Sequence, residues 1–119
     1  MSDELNEIQV RLLEGMREYL EPLDDEDEGP SYTLEDVEAC RVILDDFRLA
    51  MSGVPRGDDA AILATVRRVV ERLNELNVNA GEELIETDQR EDLCALILAA
   101  ARQAGLETDE DVTEEWREW

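Results

Sequence analysis

The chain has 119 residues, enough for one domain with a single core, and 43% are hydrophobic, which argues against wholesale disorder. Its 33 acidic residues against 11 basic ones leave a net charge of −22, which excludes a direct nucleic-acid binder because phosphate contacts need a basic face. The absence of histidine excludes the usual general base, the Ser-His and Cys-His nucleophile pairs, and nearly all zinc and carboxylate-bridged di-iron sites.

The N-terminus, MSDELNEIQV, is acidic and amphipathic, without the basic start and apolar run of a signal peptide. A first helix is predicted over about residues 3–21. Leu5, Ile8, Leu12, Met16, Tyr19 and Leu23 recur every three or four residues, and Pro22 stops the helix. The following stretch places Asp24, Glu26, Glu28, Gly29 and Glu35 as a twelve-residue calcium loop would. Glu26 and Glu28 are longer than the usual Asp or Asn, Ser31 replaces an apolar residue, and no second loop pairs with it. An acidic linker without metal is therefore expected.

A second helix begins at Thr33, where Asp36 three residues later makes a capping-box variant. Val37, Cys40, Leu44, Phe47 and Met51 form its stripe, and SGVPRG at 52–57 ends it. A third helix starts at Asp58 or Asp59 and runs to about Leu76, with Ile62, Val66, Val69, Leu73 and Leu76 inward. Arg67, Arg68 and Arg72 are expected to pair within this helix with Glu71 and Glu75. The turn formers NVNAGEE follow at 77–83.

A fourth helix starts at Thr87 or Asp88, with Asp88 and Glu91 as a second capping arrangement. Residues 93–101, LCALILAAA, are apolar on all sides, which predicts a central helix covered by the others. The run is about half of the ~20 residues that a membrane span needs. Gly105 fits the C′ position and Leu106 its apolar contact. A short fifth helix is predicted from Thr108 onward, with Val112, Trp116 and Trp119 on one face. Cys40 and Cys94 are expected as buried small hydrophobes rather than a disulfide. The expected architecture is all-α: an antiparallel four-helix bundle with a short C-terminal fifth helix, one domain over 1–119, cytoplasmic and without a membrane span.

The acids cluster. Residues 21–38 carry nine acids and no base, residues 82–92 six acids and only Arg90, and residues 107–118 seven acids and only Arg117. In an antiparallel bundle the first two clusters meet at one end and form a negative pole, which steers a basic partner. Caps and helix dipoles explain part of the pattern, but not Asp24, Asp25, Glu26, Asp27 and Glu28.

Glu82, Glu83 and Glu86 form an E-E-x-x-E string, with Glu107 and Glu110 following. This pattern resembles the magnesium-binding strings of all-α nucleotide pyrophosphatases of the MazG type. That family ends its second string in Asp, where Glu110 stands here, and carries both strings on facing helices. The resemblance implies a carboxylate–metal nucleotide hydrolase as the alternative function. Residues 72–98, through Leu73, Asn74, Leu76, Asn77, Leu84, Ile85, Glu86, Thr87, Asp88, Gln89, Arg90 and Glu91, resemble the C-terminal half of small acidic helical bacterial proteins found beside secreted toxins. That resemblance implies an immunity-type inhibitor plugging a basic toxin or nuclease site, with Glu82, Glu83, Glu86 and Asp88 as contact acids.

The expected function is therefore that of a non-enzymatic acidic binding protein without cofactor. Its partner is a basic protein, not nucleic acid or membrane, and its acids mimic phosphates. Asp24 to Glu28 add to the contact set, and Trp116 and Trp119 serve as interface anchors if they do not dock on their own domain. A homodimer is a further option, through Leu13, Leu20, Val70 and Leu98.

Overall fold

The computed structural model describes residues 4–18, 32–82, 84–108 and 110–119. Asp24 to Glu28, Tyr19, Leu20, Leu23 and Glu83 lie outside the described residues, as does most of the calcium-like loop. Among the described residues the regular structure is helical: α1 spans Glu4–Glu18, α2 Leu34–Ser52, α3 Asp59–Asn79 and α4 Thr87–Gln103.

The apolar stripes bury as their spacing predicts. Ile8, Leu12 and Met16 of α1 face inward, as do Val37, Cys40, Leu44, Phe47 and Met51 of α2. Ile62, Val66, Val69 and Leu73 of α3 meet Leu93, Leu96, Ile97, Ala100 and Ala101 of α4 in the same core. Leu13 and Val70, expected on a dimer face, are buried inside this core, because each helix presents a stripe wider than a two-residue seam. They are not available for self-association.

Polar contacts fix the directions of the helices. The Tyr32 hydroxyl, just before α2, donates to the Met16 carbonyl near the end of α1 at 2.8 Å. At the other end of α1, Gln9 donates to Asp45 at 2.8 Å and accepts from Arg48 at 3.0 Å, so α1 and α2 run antiparallel. Arg11 pairs with Asp92 at 2.7 Å, tying α1 to α4. Arg72 of α3 reaches Asp46 of α2 at 3.3 Å. Helices α2 and α4 each pack against all three others, and α1 lies diagonally opposite α3. The central position expected of α4 is thus shared with α2. Ala95 is exposed and Cys94, Leu98 and Ala99 are only half-buried, because a mostly alanine face loses little when it stays in water.

The helix ends follow capping chemistry. The Thr33 backbone N–H donates to Asp36 Oδ2 at 2.9 Å, as the capping-box spacing predicts. Asp58 caps α3 by accepting from the Ala61 N–H at 3.1 Å. At α4 the box lies two residues earlier than Asp88 and Glu91: Glu86 is the N-cap and its N–H donates to Gln89 at 3.2 Å. Gly105, at φ +108, ends α4 as expected, with the Leu106 N–H returning to the Ala101 carbonyl at 3.0 Å.

No fifth helix forms over the described part of residues 108–119. The segment makes one turn, in which the Trp116 and Arg117 N–H groups return to the Thr113 carbonyl at 3.1 and 2.9 Å. Asp111 takes both the Thr113 N–H, at 2.9 Å, and the Thr113 hydroxyl, at 2.5 Å. This local side-chain bonding competes with helix propagation. Val112, Trp116 and Trp119 nonetheless share one face, partly buried against the core.

Candidate partner-binding surface

One end of the bundle gathers the C-terminus of α1, the N-terminus of α2, the C-terminus of α3 and the N-terminus of α4. The α1 and α4 ends meet where a Cβ on Gly15 would lie 3.4 Å from the Gln89 amide. The α3–α4 turn closes on itself where the Asn77 side chain accepts from the Ile85 N–H at 3.0 Å. Glu35, Asp36 and Glu38 open α2 at this end, and Glu82, Glu86, Asp88 and Glu91 occupy the turn and the first turns of α4. Six of these seven carboxylates are exposed and Asp36 is half-buried as a cap.

Glu82 has a backbone feature of its own. Its φ is +63, directly after Gly81 at +79, a left-handed pair that a non-glycine residue rarely joins. The Glu82 N–H is secured to the Asn77 carbonyl at 2.7 Å. Nothing in the periodicity of the sequence indicates this geometry; the Asn-Ala-Gly-Glu order signals only a turn.

Three of the described arginines belong to this end: Arg17 in the last turn of α1, Arg41 of α2 and Arg90 in the first turn of α4. Arg41 bonds both Glu38 and Asp45, and its guanidinium draws the Glu38 carboxyl below its usual range; the same carboxylates raise Arg41. Arg67 pairs with Glu71 at 2.7 Å, as expected within α3, whereas Arg72 crosses to Asp46 instead of Glu75. The negative end therefore keeps most of its charge unpaired by the described arginines.

The opposite end is different. A groove of about 600 Å³ lies there among Leu5, Arg48, Leu49, Arg56 and Ala104. Arg48 donates to Gln9 and Arg56 to the Gln103 carbonyl at the end of α4, so both serve as polar staples between elements.

Trp116 and Trp119 dock on their own domain. The Asn74 amide donates to the Trp116 carbonyl at 2.8 Å and accepts from the Glu118 N–H at 3.0 Å. Arg117 stacks 5.6 Å from the Trp119 ring centre and pairs with Asp111 at 3.4 Å. Sequence reasoning missed this clamp, along with the buried polar residues Gln9, Asn77, Gln89 and Thr113, since a lone amide within an apolar rhythm looks like a solvent-facing residue.

Cysteine chemistry is restrained. Both thiols are free. Burial pushes Cys40 up to about 12. Cys94 is half-buried and is also pushed up, chiefly by burial, against the opposing hydrogen bond to Thr113. Among the described residues no three Cys, Asp or Glu side chains gather as a metal site. Glu82 lies in a turn, Glu86 at a cap, and Glu107 and Glu110 in the C-terminal segment, so these acids are not on facing helices as the pyrophosphatase pattern requires. Nor is any described helix long and apolar enough to cross a membrane. Comparison with family models, curated proteins and solved structures gives no match.

Proposed function

We propose that this chain is a non-enzymatic binding protein whose acidic end docks on a basic protein, as an immunity-type inhibitor or phosphate-mimicking partner of a toxin or nuclease. The observation that carries the reading is the convergence of Glu35, Asp36, Glu38, Glu82, Glu86, Asp88 and Glu91 on one end, where they outnumber Arg17, Arg41 and Arg90. Carboxylates held on a rigid frame set the encounter rate and select the partner. Asp24 to Glu28, outside the described residues, fall between α1 and α2 in sequence and are proposed as further contact acids. The free thiols support a cytoplasmic setting.

The test is capture of a basic protein on the immobilised chain, followed by association kinetics at several salt concentrations. Glu35→Lys, Glu82→Lys and Glu91→Lys, none of them an N-cap, each replace a negative charge by a positive one and together weaken the negative field at this end. Association should slow by roughly ten- to a thousand-fold at low salt, with the gap closing as salt is added. An association rate untouched by the three reversals sinks the proposal. Thermal melts with magnesium or calcium address the nucleotide-hydrolase alternative: a site for either ion would raise the melting temperature.

A further inference from the structure

Residues 110–119 are attached to the body by a different kind of contact from the one that joins the helices. Their only fully buried side chain is that of Thr113. Their two direct backbone links to α3 both end on one side chain, the Asn74 amide. The remaining polar contacts are largely internal to the segment: Asp111 with Thr113 and Arg117, and Arg117 over Trp119. Cys94 of α4 touches that knot through weak sulfur contacts, to Thr113 at 3.5 Å and Arg117 at 3.6 Å.

Two observations oppose permanent docking. The Trp119 indole N–H is buried without a partner, and leaving a donor so is unfavourable when water is available on release. The segment also carries five acids and one base, and its single base is engaged by its own Asp111. Glu118 shares a shallow concavity of about 290 Å³ with Glu71 and Glu75 of α3. Glu71 has Arg67 beside it; for Glu75 and Glu118 no ion pair forms among the described residues. Apolar contact by Val112, Trp116 and Trp119 and the Asn74 clamp hold the segment down, while like charge pushes it off.

We infer that residues 110–119 form a strap that docks on the α3–α4 face and lifts from it as one unit, with ionic strength setting the balance, while the four helices stay folded. The body can spare it, because the shared core of α1 to α4 is built almost wholly from helix residues. Lifting bares the Asn74 amide and both indoles. The inference does not depend on the partner proposed above.

Both tryptophans of the chain lie on the strap, so indole emission reports docking while far-UV circular dichroism reports the helices. Going from about 10 mM to about 1 M salt shortens the screening length from roughly 30 to 3 Å. Wild-type emission should shift to shorter wavelength over that range with no change in helical signal. Glu118→Gln should reach the docked spectrum at lower salt, and Asn74→Ala should stay at the longer wavelength throughout. Wild-type emission that is constant over the range, or that moves only with the helical signal, overturns the inference. So does an Asn74→Ala spectrum matching the wild type at every salt concentration.

Discussion

At Glu82 the chain accepts a backbone conformation that its side chain disfavours, and it does so at an exposed position of the acidic end. A left-handed φ costs a residue with a Cβ about 1–2 kcal/mol, which glycine does not incur. Glu82→Gly should therefore leave stability unchanged or raise it by up to about 1 kcal/mol in denaturant melts, while slowing capture of a basic partner. A capture rate equal to that of the wild type would mean that the Glu82 carboxylate plays no part in binding. Asn74 illustrates the opposite case: a polar residue inside the apolar rhythm whose two bonds organise a distant segment. Such residues are invisible to hydropathy, since only the arrival of their partner makes burial affordable.

At the scale of single elements, the ion-paired face of α2 shows how exposed charge contributes. Arg41 bridges Glu38 and Asp45 and depresses the Glu38 carboxyl. A group with a depressed folded-state pKa stabilises above its unfolded value, and that contribution disappears as pH falls through the folded value. Wild type should accordingly melt slightly above Glu38→Gln near neutral pH, and the two should converge in acid; a gap that persists in acid would assign the difference to something other than the ion pair. The four helices were legible in the sequence because their stripes have a single period and each is bounded by Pro, Gly or a capping residue. Thr33–Asp36 and Gly105 were read correctly for that reason. The start of α4 at Thr87 was legible, but its capping box lies two residues before the Asp88–Glu91 pair, because Glu86, a poor N-cap by propensity, won the position through Gln89. The fifth helix failed because Asp111 and Thr113 satisfy each other locally, though the shared apolar face of Val112, Trp116 and Trp119 was already apparent. The convergence of the described acids Glu35, Asp36 and Glu38 with Glu82, Glu86, Asp88 and Glu91 follows from antiparallel topology alone; the left-handed turn at Glu82 does not.

Across the whole molecule, a net charge of −22 is a standing repulsion that the exposed ion pairs offset only slightly. Salt screens that repulsion more than it weakens the few pairs, so the melting temperature should rise with sodium chloride, in contrast to a protein held by surface bridges. A melting temperature that falls with salt would mean that the arginine pairs contribute more than the crowding of carboxylates costs. The α2–α3 connection carries a last consequence. A Cβ on Gly105 would come within 2.7 Å of the Gly57 nitrogen, and the Gly57 N–H donates to the Ala104 carbonyl at 2.9 Å while Arg56 holds Gln103. A loop of exposed residues is thereby bolted to the far end of the last helix. In hydrogen–deuterium exchange the Gly57 amide should be slow among fast loop neighbours, opening only when the end of α4 frays, so that a single loop proton times the closure of the bundle.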